Sequence, residues 1–464
     1  MGRAGWLRVA AAAGCAALTC AFATALVARR VAAWRRWRRA LAVVRDFEES
    51  FATPAERLQR VVNSLAIEMF AGLASEDASK VRMLLTCVDS LPDGYNTDAD
   101  LPIPLLFFFH ASLLNFMISN QFAQCGHANL LLFANFLAFL GSNGASLILL
   151  LLFFYLSGLF WVGKDVAQCL NEALVRNGLN LQVNALMNNT VGTLALGHYY
   201  DEDTVAAVII GAGTNACYIE NNEAITKRQG LLTTSGQTVV NVEWGSFRPP
   251  QIPLTPYDIC FNNETQNYYD QGFEKMISGV YLGEIARLVF HKMAQESDVF
   301  GTAIDGLATP FILSTPCLAA IREDDSLDLR EVGRRMEEHL KIPNVPLKTR
   351  RLVQRVCDVV TQRAARLAAA GIVAVLQKIG RDGTRCGTTQ VRRMTGVPKR
   401  SVIAIEGGLY QGYSVFREYL NEAVVEILGE EIAPTVVLRV VEEGSGIGAA
   451  LLAAAYSSNR QESI

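Results

Sequence analysis

The sequence predicts an α/β protein whose ligand lies at the carboxyl ends of its strands. Three observations carry that expectation. From residue 164 onward, β-rich runs alternate with segments of helical periodicity. Glycines cluster where those β-rich runs end, at 211–213, 407–408 and 444–448. The 464 residues are enough for two domains, each with its own core.

Composition narrows the class. Hydrophobic residues make up 51% and charged residues 19%, against roughly a quarter charged in ordinary soluble domains. A net charge of −3 gives no global signature of nucleic-acid binding. The ten cysteines form no CxxC pair and no Cys/His ligand spacing. They read as reduced, mostly buried thiols of a cytosolic protein, with no metal centre of their own.

Taken in order, the first element is a membrane anchor. Residues 9–28 carry no charge and are rich in Ala, Leu and Val. As a helix they rise about 30 Å, the thickness of a bilayer core. Arg29, Arg30, Arg35, Arg36, Arg38 and Arg39 follow, while only Arg3 and Arg8 precede. That bias places the rest of the chain in the cytosol, and the dense arginine block argues against a cleaved secretory signal. Trp34 and Trp37 suit the headgroup zone. With this topology the sequons at Asn188 and Asn263 are chance matches.

Residues 45–91 read as amphipathic helix, with Leu58, Val61, Val62, Leu65, Met69 and Leu73 on one stripe. Residues 101–163 contain no Asp, Glu, Lys or Arg. Three readings of this block stay open: membrane spans, an unusually apolar core, or translated non-coding sequence that displaced an exon. Beyond it, residues 164–179 read as helix and "QVNALMNNT" as strand and loop. Residues 203–220 read as strand, tight Gly-Ala-Gly turn and strand. "DQGFEKMISGVYLGEIARLVFHKMAQES" is expected to be one long helix after a turn. A second long helix, from "VPLKTRR" to "LQKIG", carries a small-residue face at Ala364, Ala365, Ala368, Ala369, Ala370 and Gly371 for close packing on a sheet. Residues 399–410 are a strand running into a Gly-Gly turn, and 435–454 are a strand, a Gly-rich turn and a closing helix. The last turn is not a nicotinamide fingerprint. No βα unit follows it, and no acidic residue lies some ~20 positions on.

"ALMNNTVGTLALGHYYDEDTVAAVIIGAGTNACYIE", "GLLTTSGQTVVNVEWGSF", "DQGFEKMISGVYLGE", "RAARLAAAGI", "AIEGGLY" and "EEGSGIGAALLAA" together resemble the hexokinase family in order and spacing. The resemblance is greatest to plant hexokinases with an N-terminal membrane anchor, and it covers 45–94 and 162–455. It implies the actin-like, ribonuclease-H-like pair of α/β domains, with sugar in the cleft between them and ATP mostly on the larger one. The expected organisation is a membrane anchor and basic segment at 1–40, then an N-terminal helical part at 41–100. The charge-free block at 101–163 replaces part of the small domain. The remainder of the small domain with the sugar and phosphate loops is at 164–245, the large domain with the ATP site at 246–455, and a tail at 456–464.

The resemblance assigns hexose contacts to Asn188, Asn189, Asn215, Glu243 and Glu274. A hexose is a ring of hydroxyls, and carboxylates and amides suit it because they take paired hydrogen bonds. ATP with Mg is implied at Gly211, Gly213 and Thr214 and at Gly407, Gly408, Gly444, Ser445 and Gly446, where backbone N–H groups at glycine turns can face phosphate. Asn189 stands at the catalytic-base position, where active members carry Asp, and an amide cannot accept the proton. Ala212 stands where a threonine is usual. The Leu-Gly-Gly-Thr-Asn phosphate loop and the Ser-Phe-Pro and Thr-Lys sugar contacts, which belong between Pro92 and Gly163, are absent. The expectation is a glucose-binding, sugar-sensing relative of hexose 6-phosphotransferases at a membrane, most simply the outer mitochondrial membrane. The alternatives are a hexokinase of low rate and a non-functional product of a faulty gene model.

Overall fold

The computed structural model describes residues 3–86, 88, 91–92, 168, 171–172, 175–176, 187–227, 233–248, 254–265, 271–297, 299–301, 304–383 and 399–461, with backbone alone at 3–19 and 456–461. The charge-free block at 101–163 lies outside them.

The chain opens with α1 (Arg3–Phe51) and α2 (Ala55–Ala74). No Gly or Pro interrupts residues 15–51, so the apolar run at 9–28 and the first helix of the body are one continuous element. Its last turns bury Ala40, Val43, Val44, Phe47 and Phe51, while Phe22, Leu26, Val27, Val31 and Trp34 stay exposed. In α2 the predicted stripe from Leu58 to Leu73 is wholly buried. The helical reading of 45–91 fails beyond Ala74. The chain turns at Ser75, and Leu84–Thr86 form the edge strand β1, because a free sheet edge offers its backbone partners.

Next come α3 (Asn189–Tyr200), β2 (Thr204–Ile210), β3 (Thr214–Asn221) and β4 (Gln237–Asn241). The predicted strand, Gly-Ala-Gly turn and strand are present, with Ile210 opposite Thr214. Helices α4 (Pro256–Glu264), α5 (Gly272–Ile277) and α6 (Leu282–Glu296) follow. The single long helix expected here is therefore two. Gly279 donates its N–H to the Gly211 carbonyl at 2.7 Å, and a Cβ on Gly279 would lie 2.7 Å from that oxygen. The break lets the backbone press against the Gly-Ala-Gly turn, a contact that no periodicity encodes.

Four helices then lead to the second half of the sheet: α7 (Ile304–Leu307), α8 (Thr315–Arg322), α9 (Arg330–Leu340) and α10 (Leu347–Lys378). The remainder is β5 (Ser401–Glu406), α11 (Gly408–Gly412), α12 (Ser414–Ile432), β6 (Val436–Val440) and α13 (Gly444–Gln461). Among the residues described with side chains, α10 alone is long and apolar enough to cross a bilayer, and it is mostly buried in the body. Its small-residue face is fully covered, and Gly371 makes room for the Trp244 ring.

Among the described residues, six strands form one sheet in the order β1-β4-β3-β2-β5-β6. Pairs β2/β5 and β5/β6 are parallel and the others antiparallel. Alternation along the strands splits the core. Ala206, Val208, Ile210, Ile403 and Ile405 face the large core with α1, α2, α6, α10 and α12. Ala207, Cys217 and Ala404 face the smaller one under α3 and α13. The sheet runs across the position 245/246 at which a boundary is expected. Strands β2 to β4 and strands β5 and β6 are joined by the β2/β5 ladder, so 204–241 and 401–440 belong to one folded unit.

Candidate functional site

The site is assembled where β3, β4 and α3 meet. The β3/β4 ladder ends by pairing Cys217 with Asn241, and just beyond it the Val242 N–H donates to the Ala216 carbonyl, which brings Asn215 beside Glu243. Glu243 has left-handed backbone (φ 56°) at the exit of β4, a conformation that non-glycine residues adopt at a cost. Its Oε1 accepts from three amides: Asn215 at 2.9 Å, Asn241 at 2.8 Å and Asn188 at 3.3 Å. The Asn215 Oδ1 in turn accepts the Glu243 N–H at 3.0 Å. Asn188 caps α3, with Oδ1 accepting from the Thr190 N–H at 3.0 Å. The result is a ring of amides around one carboxylate, oriented before any ligand arrives.

Glu274 approaches from α5. Its Oε2 accepts the Thr214 N–H at 2.9 Å, while its Oε1 is buried with no hydrogen-bond partner. The hydroxyl of Ser278, also buried, is likewise unsatisfied. Burial pushes the Glu274 carboxyl up to about 7, with the Glu243 carboxylate adding to the rise. Buried polar atoms without partners are uncommon, and an acceptor and a hydroxyl together suit a ligand that carries hydroxyl groups.

Asn189 is the first residue of α3, half-buried beside Asn188. Its Oδ1 accepts the Thr190 N–H at 3.0 Å. The side chain can orient a hydroxyl but cannot hold its proton. Below it, the Cys217 thiol donates to the Thr190 carbonyl at 3.1 Å, and burial pushes that thiol up to about 12. It is packing, not a nucleophile.

The structure brings the three glycine turns together. The Gly211 Cα faces Gly407 and Gly408, with a Cβ on Gly211 meeting their backbones at 3.6 and 3.7 Å. A Cβ on Gly408 would meet open space. Glu406, at the end of β5, accepts from the Ser445 N–H at 2.9 Å and from the Thr193 hydroxyl at 2.5 Å, tying α13 and α3 to the sheet. Gly444 sits against the same carboxylate, and Gly446 follows Ser445 in the first turn of α13. Thr214 is placed differently. Its N–H serves Glu274, and its hydroxyl accepts from the Trp244 ring N–H at 3.1 Å. The converging glycine edges, with open room at Gly408, fit a polyphosphate. Among the described residues no group of three or more His, Cys, Asp or Glu gathers.

Asn241 was not singled out in the sequence. It is the last residue of β4, two before Glu243, and it both accepts from Asn215 at 2.8 Å and donates to Glu243. Its closeness in sequence to Glu243 was the available signal.

The chain is similar to known proteins over most of its length. Two family models, both described as hexokinase, match residues 205–455 and residues 43–105 with 147–199. Residues 106–146 fall between the matched segments. Rice (Oryza sativa subsp. japonica) Hexokinase-10 is 65% identical over 499 residues, covering 99% of this chain and 98% of that protein. Rice Hexokinase-3 is 58% identical, and Arabidopsis thaliana Hexokinase-3 is 43% identical over 98% of this chain and 100% of its own length. The 499-residue alignment exceeds the 464 residues of this chain, so the rice relative has residues with no counterpart here. Among solved structures, a Schistosoma mansoni hexokinase complexed with glucose superimposes with a TM-score of 0.68 at 22% identity, over 90% of this chain and 99% of that one. The fold is thus the α/β two-domain fold of hexokinases, and the chain belongs to the plant hexokinase family.

Proposed function

We propose that this chain binds glucose in the amide–carboxylate ring, and that proton removal from the sugar hydroxyl is impaired. It acts as a membrane-held sugar sensor more than as a phosphotransferase. One observation carries the reading. Glu243 is held by Asn188, Asn215 and Asn241, and Glu274 offers an unsatisfied acceptor, while the adjacent Asn189 carries no proton acceptor. In the family reaction ATP supplies the transferred γ-phosphoryl group. The residues here would do the rest. Glu243 and Glu274 accept from sugar hydroxyls, Asn188 and Asn215 keep Glu243 in register, and Asn189 orients the reacting hydroxyl without deprotonating it. The edges at Gly211, Gly213, Gly407, Gly408, Gly444 and Gly446 would hold the nucleotide.

Residues 9–28 as anchor, with the body in the cytosol at the outer mitochondrial membrane, complete the proposal. Supporting it are the charge-free run, the arginines that follow and the exposed apolar side chains from Phe22 to Trp34.

Glucose titrated calorimetrically into the full chain gives a saturable heat that Glu243→Ala abolishes. A flat titration of the wild-type chain would overturn the binding reading. Asn189→Asp, combined with replacement of 106–146 by the corresponding segment of an active relative, raises phosphorylation by ~10²–10⁴. No rise would remove Asn189 from the base position. A slow kinase is the second reading, favoured by the family match resuming at 147. It requires wild-type turnover that Glu243→Ala eliminates. The third reading, a displaced exon, is favoured by the relative's additional residues and is decided by transcript sequencing across codons 92–164.

A further inference from the structure

Helix α1 leaves the body without a break. Its buried positions end at Ala40, and residues 20–31 are all exposed. No Gly or Pro lies between Cys15 and Phe51, so no hinge separates the apolar run from the folded body.

Helix α10 runs beside α1 in the same sense. The Lys348 ammonium lies 4.5 Å from the Trp37 ring centroid, Arg355 pairs with Glu48, and the Arg363 guanidinium lies 4.1 Å from the Phe51 ring centroid. The three contacts fall in the same order along both helices. The N-terminal end of α10, and the corner that joins it to α9, therefore face the end of α1 that carries Arg29 to Arg39. Lys341, Leu347, Lys348 and Arg351 are exposed there. The neighbouring acids of α9 are partly matched within their own helix, Glu331 and Glu338 pairing with Arg334. On α1 itself the acids Asp46, Glu48 and Glu49 come only after the arginines, on the side away from the apolar run.

The distances suit a surface contact. Trp37 is nine residues past Ala28, a rise of about 13 Å along the axis. The headgroup zone takes up roughly 6 Å of that. Trp37, and Lys348 level with it, then stand about 7 Å above the headgroups, so Trp37 lies outside the headgroup zone that its residue type suggests. That height is inside a Debye length of about 8 Å at physiological salt, and ordinary helix tilt lowers it further.

We infer that the α9–α10 corner is a second membrane contact, which seats the body on anionic lipid headgroups in an orientation set by α1. The inference rests on reading residues 9–28 as the anchor. The test uses the full chain in vesicles of phosphatidylcholine alone, and in vesicles with roughly one-third phosphatidylserine. A membrane-impermeant amine reagent is applied and lysine modification is read by mass spectrometry, with Lys399 as internal reference. Modification of Lys341 and Lys348 falls roughly tenfold in the anionic vesicles and recovers in high salt. The double variant Lys341→Glu/Arg351→Glu restores Lys348 reactivity while the chain stays in the carbonate-washed pellet. Equal Lys348 reactivity in both vesicles, with the chain retained, overturns the docking alone. Loss of the chain from both vesicles in carbonate overturns the anchor, and the docking with it.

Discussion

At the scale of single residues, Glu274 sets a pH dependence. Its carboxyl is raised to about 7 by burial, so it costs nothing while neutral. The cost appears as pH rises from the ordinary carboxylate range through about 7, because the unfolded chain ionises first and the folded one resists. Glu274→Gln should therefore leave stability unchanged near the acid end and raise it by up to about 3 kcal/mol above neutrality. Denaturant titrations at the two pH values check this, and a pH-independent difference would contradict it. A sugar hydroxyl donated to the free Oε1 favours the ionised form, so glucose affinity should strengthen through neutrality in the wild-type chain and not in Glu274→Gln. Asn241→Ala removes one amide from Glu243 and should weaken glucose binding roughly tenfold or more, as expected for a hydrogen bond to a charged group. Calorimetry reads this directly.

At the scale of elements, α3 and α13 touch backbone to backbone. A Cβ on Gly448 would lie 1.8 Å from the Gly192 carbonyl oxygen, and one on Gly192 would lie 2.4 Å from that of Ser445. These glycines let two helices touch backbone to backbone, which holds the first turn of α13 beside the Asn188–Asn189 end of α3. Gly448→Ala should cost about 1–3 kcal/mol or more and displace α13. Gly412→Ala, whose Cβ would meet nothing within 4 Å, should not lower the melting temperature. Parallel thermal melts compare the two. The break between α5 and α6 follows the same logic. Gly279 is needed where the chain meets Gly211, and the helix yields to that contact.

For the whole molecule, the continuous sheet is the deciding feature. Strand β5 lies between β2 and β6, so separation at residue 245 tears a parallel ladder and bares the face of α10. A fragment of residues 246–455 made alone should fail to fold, giving aggregation on gel filtration and no cooperative melt. A soluble, cooperatively melting fragment would support a domain boundary at 245/246.

Much of this was legible without coordinates. The stripe of α2 and the strand–turn–strand of 203–220 follow from side-chain period and glycine chemistry, because solvent rewards one buried face wherever it is placed. The chemical incapacity of Asn189 follows from its amide alone. Only the tertiary structure decided the rest. Leu84–Thr86 became a strand because a sheet edge was free, and one long helix became two because a backbone amide found a carbonyl far away in sequence. Asn241 joined the site, and Glu274 acquired its raised carboxyl, through neighbours that fold topology supplies. The sequence by itself determined which groups this protein carries and the local elements that hold them. Their partners, burial and energies were decided by contacts between distant segments, which local pattern cannot encode.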